Sequence, residues 1–200
     1  MLDLCRPAAE LLQLQQTLME QCFPASTVLL PSGAQVAVRQ CGQRSGKPSI
    51  VLLHGISSGA ASWLHPALLL AEHHHVLAWD APGYGESTPL SDTSPSAQAY
   101  AERLNELLQV QGITSCVLVG HSLGGYLALL AACKRPALVH GLVLIDSPIV
   151  TGWRAHSVHV MKLGGLFKRM SPGRVSAGRR YRWPSAEAAY EHFAAKSAFA

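Results

Sequence analysis

The 200-residue sequence predicts an α/β fold, a mostly parallel sheet flanked by helices, and three observations lead there. Four short apolar runs, at 49–53, 76–79, 116–119 and 141–145, lack polar alternation, as strands covered on both faces do. Stretches with helical spacing separate them, so strand and helix alternate, as βαβ units require. The runs lead into turns or loops with Gly, Asp or Ser, and in such sheets active sites lie beyond the strands' carboxyl ends.

Taken in order, residues 8–22 carry Leu11, Leu14 and Leu18 at helical spacing, with Leu12 and Met19 on an adjacent stripe, which predicts an amphipathic helix against the body. Residues 27–30 and 35–40 read as two strands of an antiparallel hairpin around Pro31-Ser32-Gly33. The strand at 49–53 runs into the loop His54-Gly55-Ile56-Ser57-Ser58-Gly59, whose free backbone amides can face a reaction centre. A helix over 60–70 follows, then His73-His74-His75. Adjacent residues point in different directions and cannot chelate one ion together, so these histidines read as a solvated loop and no metal is expected. The strand at 76–79 ends in Asp80-Ala81-Pro82-Gly83-Tyr84-Gly85-Glu86-Ser87, a tight turn in which Asp80 satisfies loop amides. Ser94-Pro95 predicts a capped helix start, with Gly112 closing that helix.

The most informative stretch is 116–130. A short buried strand meets an apolar helix through Gly120-His121-Ser122-Leu123-Gly124, which fits G-x-S-x-G, the nucleophile elbow. At such a corner the nucleophile's backbone is strained and neighbouring chain passes close by, so side chains two positions either side would collide. The Ser122 hydroxyl then stands at a helix N-terminus, where the Leu123 amide and the helix dipole can meet a developing oxyanion. A merely structural Gly-Ser-Gly turn is the alternative. The strand at 141–145 delivers Asp146 to its carboxyl end.

Composition bounds the rest. Apolar residues make up 48% of the chain and the formal net charge is +4. That composition is globular, and no apolar run is long enough to span a bilayer. The N-terminus lacks the basic start and apolar block of a signal peptide. Five cysteines without C-x-x-C spacing suit free thiols in a reducing cytoplasm. Charge is uneven: residues 1–150 hold seven basic and ten acidic side chains, whereas 151–182 hold eight basic and none acidic. After Ser147-Pro148 the sequence reads as short helices of a lid, with Ser185 capping the last. The expected organisation is an N-terminal helix (1–24), an α/β core (25–150) and a partial helical lid (151–200).

His54-Gly55, the 80–87 turn and Gly120-His121-Ser122-Leu123-Gly124-Gly125, in that order and spacing, together resemble the α/β-hydrolase superfamily, closely over 25–150. The resemblance implies Ser122 as nucleophile and the backbone N–H groups of Leu123 and Ile56 as oxyanion hole. It places His54 and Gly55 in the substrate-facing loop, with His54 and Asp80 as scaffold, and His121 beside the nucleophile in the pocket. Epoxide hydrolases and haloalkane dehalogenases of this superfamily carry aspartate at the elbow. Serine there points to a small ester or related acyl substrate, with no cofactor. Family order is Ser, then acid, then His. Asp146 stands at an alternative acid position used by some members, where a structural role is commoner. His156, His159 and His192 fall in the lid, a poor place to hold an imidazole against Ser122. The expectation is therefore a C-terminally truncated hydrolase whose catalytic His, and its acid partner, lie beyond residue 200. The competing reading is a catalytically inactive binding module whose basic lid docks an anionic ligand or partner. A nucleic-acid role has only a basic run to support it, and oligomeric state is open.

Overall fold

A computed structural model describes residues 8–92, 96–147 and 183–194. Chain contacts divide the protein into two units, Met1–Ile149 and Val150–Ala200.

The first unit opens with α1 (Ala8–Cys22), whose Leu18 and Met19 pack on the core. β1 (Ala25–Leu29) and β2 (Gln35–Cys41) form the antiparallel hairpin. Leu30, expected to end the first strand, belongs to the turn: its N–H donates to Ala34 O and its carbonyl accepts from Gly33. β3 (Ser49–Leu53) is buried at every position. A 3₁₀ turn (Ala60–Trp63) precedes α2 (Leu64–Ala71), and Pro66 fits α2's first turn because helix-start N–H groups need no partner there. β4 (Val76–Trp79), α3 (Ala97–Val110), β5 (Cys116–His121), α4 (Leu123–Lys134) and β6 (Val139–Ile145) complete the unit.

The sheet order is β1-β2-β4-β3-β5-β6. β2 runs antiparallel to both neighbours, while β4, β3, β5 and β6 are mutually parallel. Alternate residues of β3 explain its continuous apolar run. Val51 and Leu53 join one buried cluster with Leu104, Leu107, Leu108 and Leu127 of α3 and α4. Ile50 and Leu52 join the other, with Phe23, Leu64 and Ala67. Each face therefore buries its own apolar layer, the dominant favourable contribution to folding.

Three local expectations need correction. The cap of α3 is Ser96, not Ser94: its extended backbone (φ −77°, ψ 151°) suits an N-cap and its hydroxyl accepts from Ala99 N at 3.2 Å. His75 is buried rather than solvated, bridging Ser49 Oγ at 3.0 Å and Gln40 Oε1 at 3.1 Å. β6, the rim of the sheet, is only half-buried rather than covered on both faces, with Val143 46% and Ile145 42% exposed. Among the described residues no helix is long and apolar enough to cross a membrane. The described part of the second unit is a helix, α5 (Ala186–Ala194), whose Ala188 N–H donates to the Ser185 hydroxyl at 3.2 Å. The expected lid segment at 151–182 lies outside the described residues.

His75 makes stability depend on pH. Burial lowers its pKa from 6.5, and the Arg44 charge pushes the same way. A folded value below the unfolded one leaves stability intact above about pH 6.5 and removes it as pH falls toward the folded value. Urea midpoints are expected to drop between pH 7 and pH 5, and to drop less in a His75→Gln variant. An equal drop in the variant would assign the loss to other groups.

Candidate active site

Only Ser122 separates β5 from α4, and its backbone carries the strain of the reversal, at φ 51° and ψ −117°. A non-glycine residue in such a region costs on the order of 1–3 kcal/mol and persists only where its surroundings fix it. Ser122 N–H donates to Ile145 O of β6 at 2.9 Å, and its carbonyl accepts from Gly125 N at 3.1 Å. Neither Gly120 nor Gly124 has a positive φ. They are needed for space: a Cβ on Gly120 would strike the Gly124 carbonyl group, and one on Gly124 would strike the Leu53 carbonyl at the end of β3. The Ser122 side chain caps nothing, and among the described residues its hydroxyl has no hydrogen-bond partner. Leu123 N–H, in the first turn of α4, is one of the amides that a helix start leaves unsatisfied.

The loop after β3 packs directly on this corner. A Cβ on Gly55 would lie 3.1 Å from Ser122 Cβ and 3.0 Å from His121 Nδ1. His54 is buried, and both of its ring nitrogens are engaged. Nδ1 donates to Gly55 O at 2.8 Å, which leaves Nε2 to accept from Ala81 N at 2.9 Å. The Gly55 carbonyl and the Ile56 N–H belong to one planar peptide group, where they point in opposite directions. By holding the carbonyl, His54 sets the orientation of that amide. Burial lowers the His54 pKa, although Gly55 and the Asp80 charge pull it upward, so the ring stays neutral. The Tyr84 ring meets it edge-on, with centroids 4.9 Å apart. Asp80 Oδ1 accepts from Ala60 N at 2.7 Å, anchoring the far end of the loop. The Ser87 hydroxyl donates to Asp80 O at 2.7 Å and accepts from Ala37 N at 2.8 Å.

Gly55, His121 and Ser122 therefore meet at the carboxyl edge of the sheet, and Ile56 and Leu123 adjoin them. His121 is exposed. His54 itself is buried and hydrogen-bonded through both ring nitrogens, and it braces the loop after β3 against the turn that carries Asp80. Asp146 follows β6 directly, exposed and at φ 44°, and among the described residues nothing orients its carboxylate. His156 and His159 lie outside the described residues. His192 sits in α5, its ring 4.6 Å from that of Trp183. One contact escaped sequence reasoning: the Ser147 hydroxyl donates to Ile145 O, the carbonyl that also holds Ser122 N. Nothing in the spacing of these residues announces it. A cleft of about 410 Å³ lies elsewhere, lined by Glu102, Asn105 and Glu106 of α3 and by Lys134 and Arg135 at the far end of α4. Among the described residues no group of three His, Cys, Asp or Glu side chains could hold a metal ion.

A mostly parallel α/β sheet with a strained strand–helix serine beneath a glycine loop defines a hydrolase-type architecture. The chain belongs to the alpha/beta hydrolase family, which it matches over residues 50–200. It is 34% identical over 118 residues to mouse epoxide hydrolase 4, an alignment covering 58% of this chain and 33% of that protein. It is 38% identical over 112 residues to the mouse sn-1-specific diacylglycerol lipase ABHD11, covering 54% and 36%. Among solved structures, a bacterial membrane phospholipase A superposes with a TM-score of 0.63 at 29% identity, covering 72% of this chain and 45% of that one. The chain thus spans about a third of the length of these two curated relatives. Relatives with such different names support hydrolysis as the common chemistry without selecting a substrate.

Two substitutions test this construction. Gly124→Ala drives a methyl into the Leu53 carbonyl and is expected to destabilise by roughly 1–3 kcal/mol in urea unfolding. His54→Ala leaves Ala81 N–H unpaired and leaves Gly55 C=O only its 3.3 Å bond from Ser58 N–H, and is expected to cost a similar amount, about 1–3 kcal/mol. A neutral result for His54→Ala would show that solvent replaces both bonds.

Proposed function

We propose that the protein is a serine hydrolase of a small ester or related acyl substrate, with Ser122 as nucleophile. The observation that carries this reading is a strained serine whose hydroxyl no described residue engages, packed against the Gly55 loop. Ser122 Oγ adds to the acyl carbon, and the tetrahedral intermediate then collapses as the leaving group departs with the serine's proton, passed to it by the base. The amides of Leu123 and Ile56 receive the negative charge on the carbonyl oxygen, and water then hydrolyses the acyl-enzyme. Serine at 122 favours this route over the aspartate chemistry of epoxide hydrolases and haloalkane dehalogenases.

A serine hydroxyl needs a base to accept its proton. We assign that base, and the acid that orients it, to sequence corresponding to the part of the relatives that this chain does not span, with Asp146 as the alternative acid. The unpaired thiols of Cys22, Cys41, Cys116 and Cys133 favour a reducing compartment, the cytoplasm.

The test is reaction with a fluorophosphonate, read by mass spectrometry of the peptide containing residue 122. An adduct on Ser122 is expected, slow on this chain alone and accelerated by added imidazole as external base. Ser122→Ala should lose it. A folded chain that stays unmodified at Ser122, with and without imidazole, would overturn the assignment.

A further inference from the structure

Away from the elbow, two cysteines lie near the junction of α1 with the sheet. β1 and β2 run antiparallel with Ala25 opposite Arg39. Cys22, the last residue of α1, lies three positions before Ala25, and Cys41, the last residue of β2, lies two positions after Arg39. The register therefore brings both to the same end of the hairpin. Two contacts hold the junction closed. Arg39 Nη1 donates to Phe23 O at 2.7 Å, and Phe23 is fully buried in the apolar cluster on which Cys41 packs. The Cys41 thiol donates to Ala67 O of α2 at 3.6 Å. Cys22 is exposed and Cys41 half-buried, and both are free thiols.

We propose that Cys22 and Cys41 form an oxidant-responsive pair whose disulfide staples α1 to β2. The oxidant class is a hydroperoxide, with hydrogen peroxide the simplest member. The exposed Cys22 sulfur, as thiolate, attacks a peroxide oxygen, breaking the O–O bond to give a sulfenic acid and water. The Cys41 sulfur then attacks the Cys22 sulfur and displaces its hydroxyl, which leaves as a second water with the Cys41 proton. Two thiols and one peroxide thus give one disulfide and two waters. Cys41 is a reluctant second partner: burial, and then the neighbouring Cys22, push its thiol up to about 11. Little thiolate is present near neutrality, so the reduced pair persists at rest and closes under sustained oxidant.

The experiment uses the 200-residue chain carrying Cys5→Ser and Cys133→Ser, which removes two thiols outside the pair. After peroxide treatment and alkylation, trypsin cleaves at Arg39, between the two sulfurs. The expected product is a monomer in which the peptide ending at Arg39 is linked to Gln40–Arg44 with the loss of two hydrogens. Tm should rise by roughly 5–10 °C, as closing a loop of this length implies. Dithiothreitol should reverse both changes, and Cys41→Ser should abolish them. Dimers linked through Cys22, a Cys22 sulfinic acid with Cys41 still alkylated, or a link that forms only in urea would each overturn the proposal.

Discussion

The turn of the chain at Ser122 constrains everything around it. Its positive φ is sustained by contacts on three sides, from β6 through the Ile145 carbonyl, from β3 through the Leu53 carbonyl against Gly124, and from α4 through Gly125 N–H. Any one of these alone would let the corner relax into an ordinary cap. Together they require β3, β5 and β6 to be adjacent and in register, which is the arrangement in the sheet. The local strain is thus offset by the packing of the whole parallel sheet, and it lifts a hydroxyl clear of the residues that would otherwise bind it.

A second set of interactions links loops across twenty residues or more of sequence. His54 follows β3 yet accepts a hydrogen bond from Ala81 N–H, beyond β4, and Asp80 holds the Ala60 amide at the end of the β3 loop. Each turn therefore carries the acceptor for the other's backbone. Burial keeps the imidazole neutral, and neutrality leaves one nitrogen to donate and one to accept. The loop facing Ser122 is consequently shaped by a polar lattice whose members are mostly backbone groups.

Much of this was legible from residue pattern. Apolar runs without alternation marked the strands covered on both faces, and G-x-S-x-G between strand and helix located the corner. What pattern could not supply was partnership. The role of His54 depends on an amide 27 positions away, and the burial of His75 depends on Ser49 and Gln40 arriving from other strands. A run of three histidines looks polar and solvated until tertiary contacts provide partners for one of them. The start of α3 moved because Ser94 and Ser96 are both competent caps, and local preference does not rank them. The partial exposure of β6 likewise follows from which residues pack against each of its faces, which an apolar run alone leaves undetermined.

That rim has a mechanical consequence. The Ile145 carbonyl serves both the Ser122 amide and the Ser147 hydroxyl, so the final peptide of the outermost strand is directly wired to the elbow. The strand's outer row of backbone groups faces no neighbour among the described residues. Any chain that docks along that open side gains leverage over the serine two hydrogen bonds inward, and fraying there slackens the corner in the same measure.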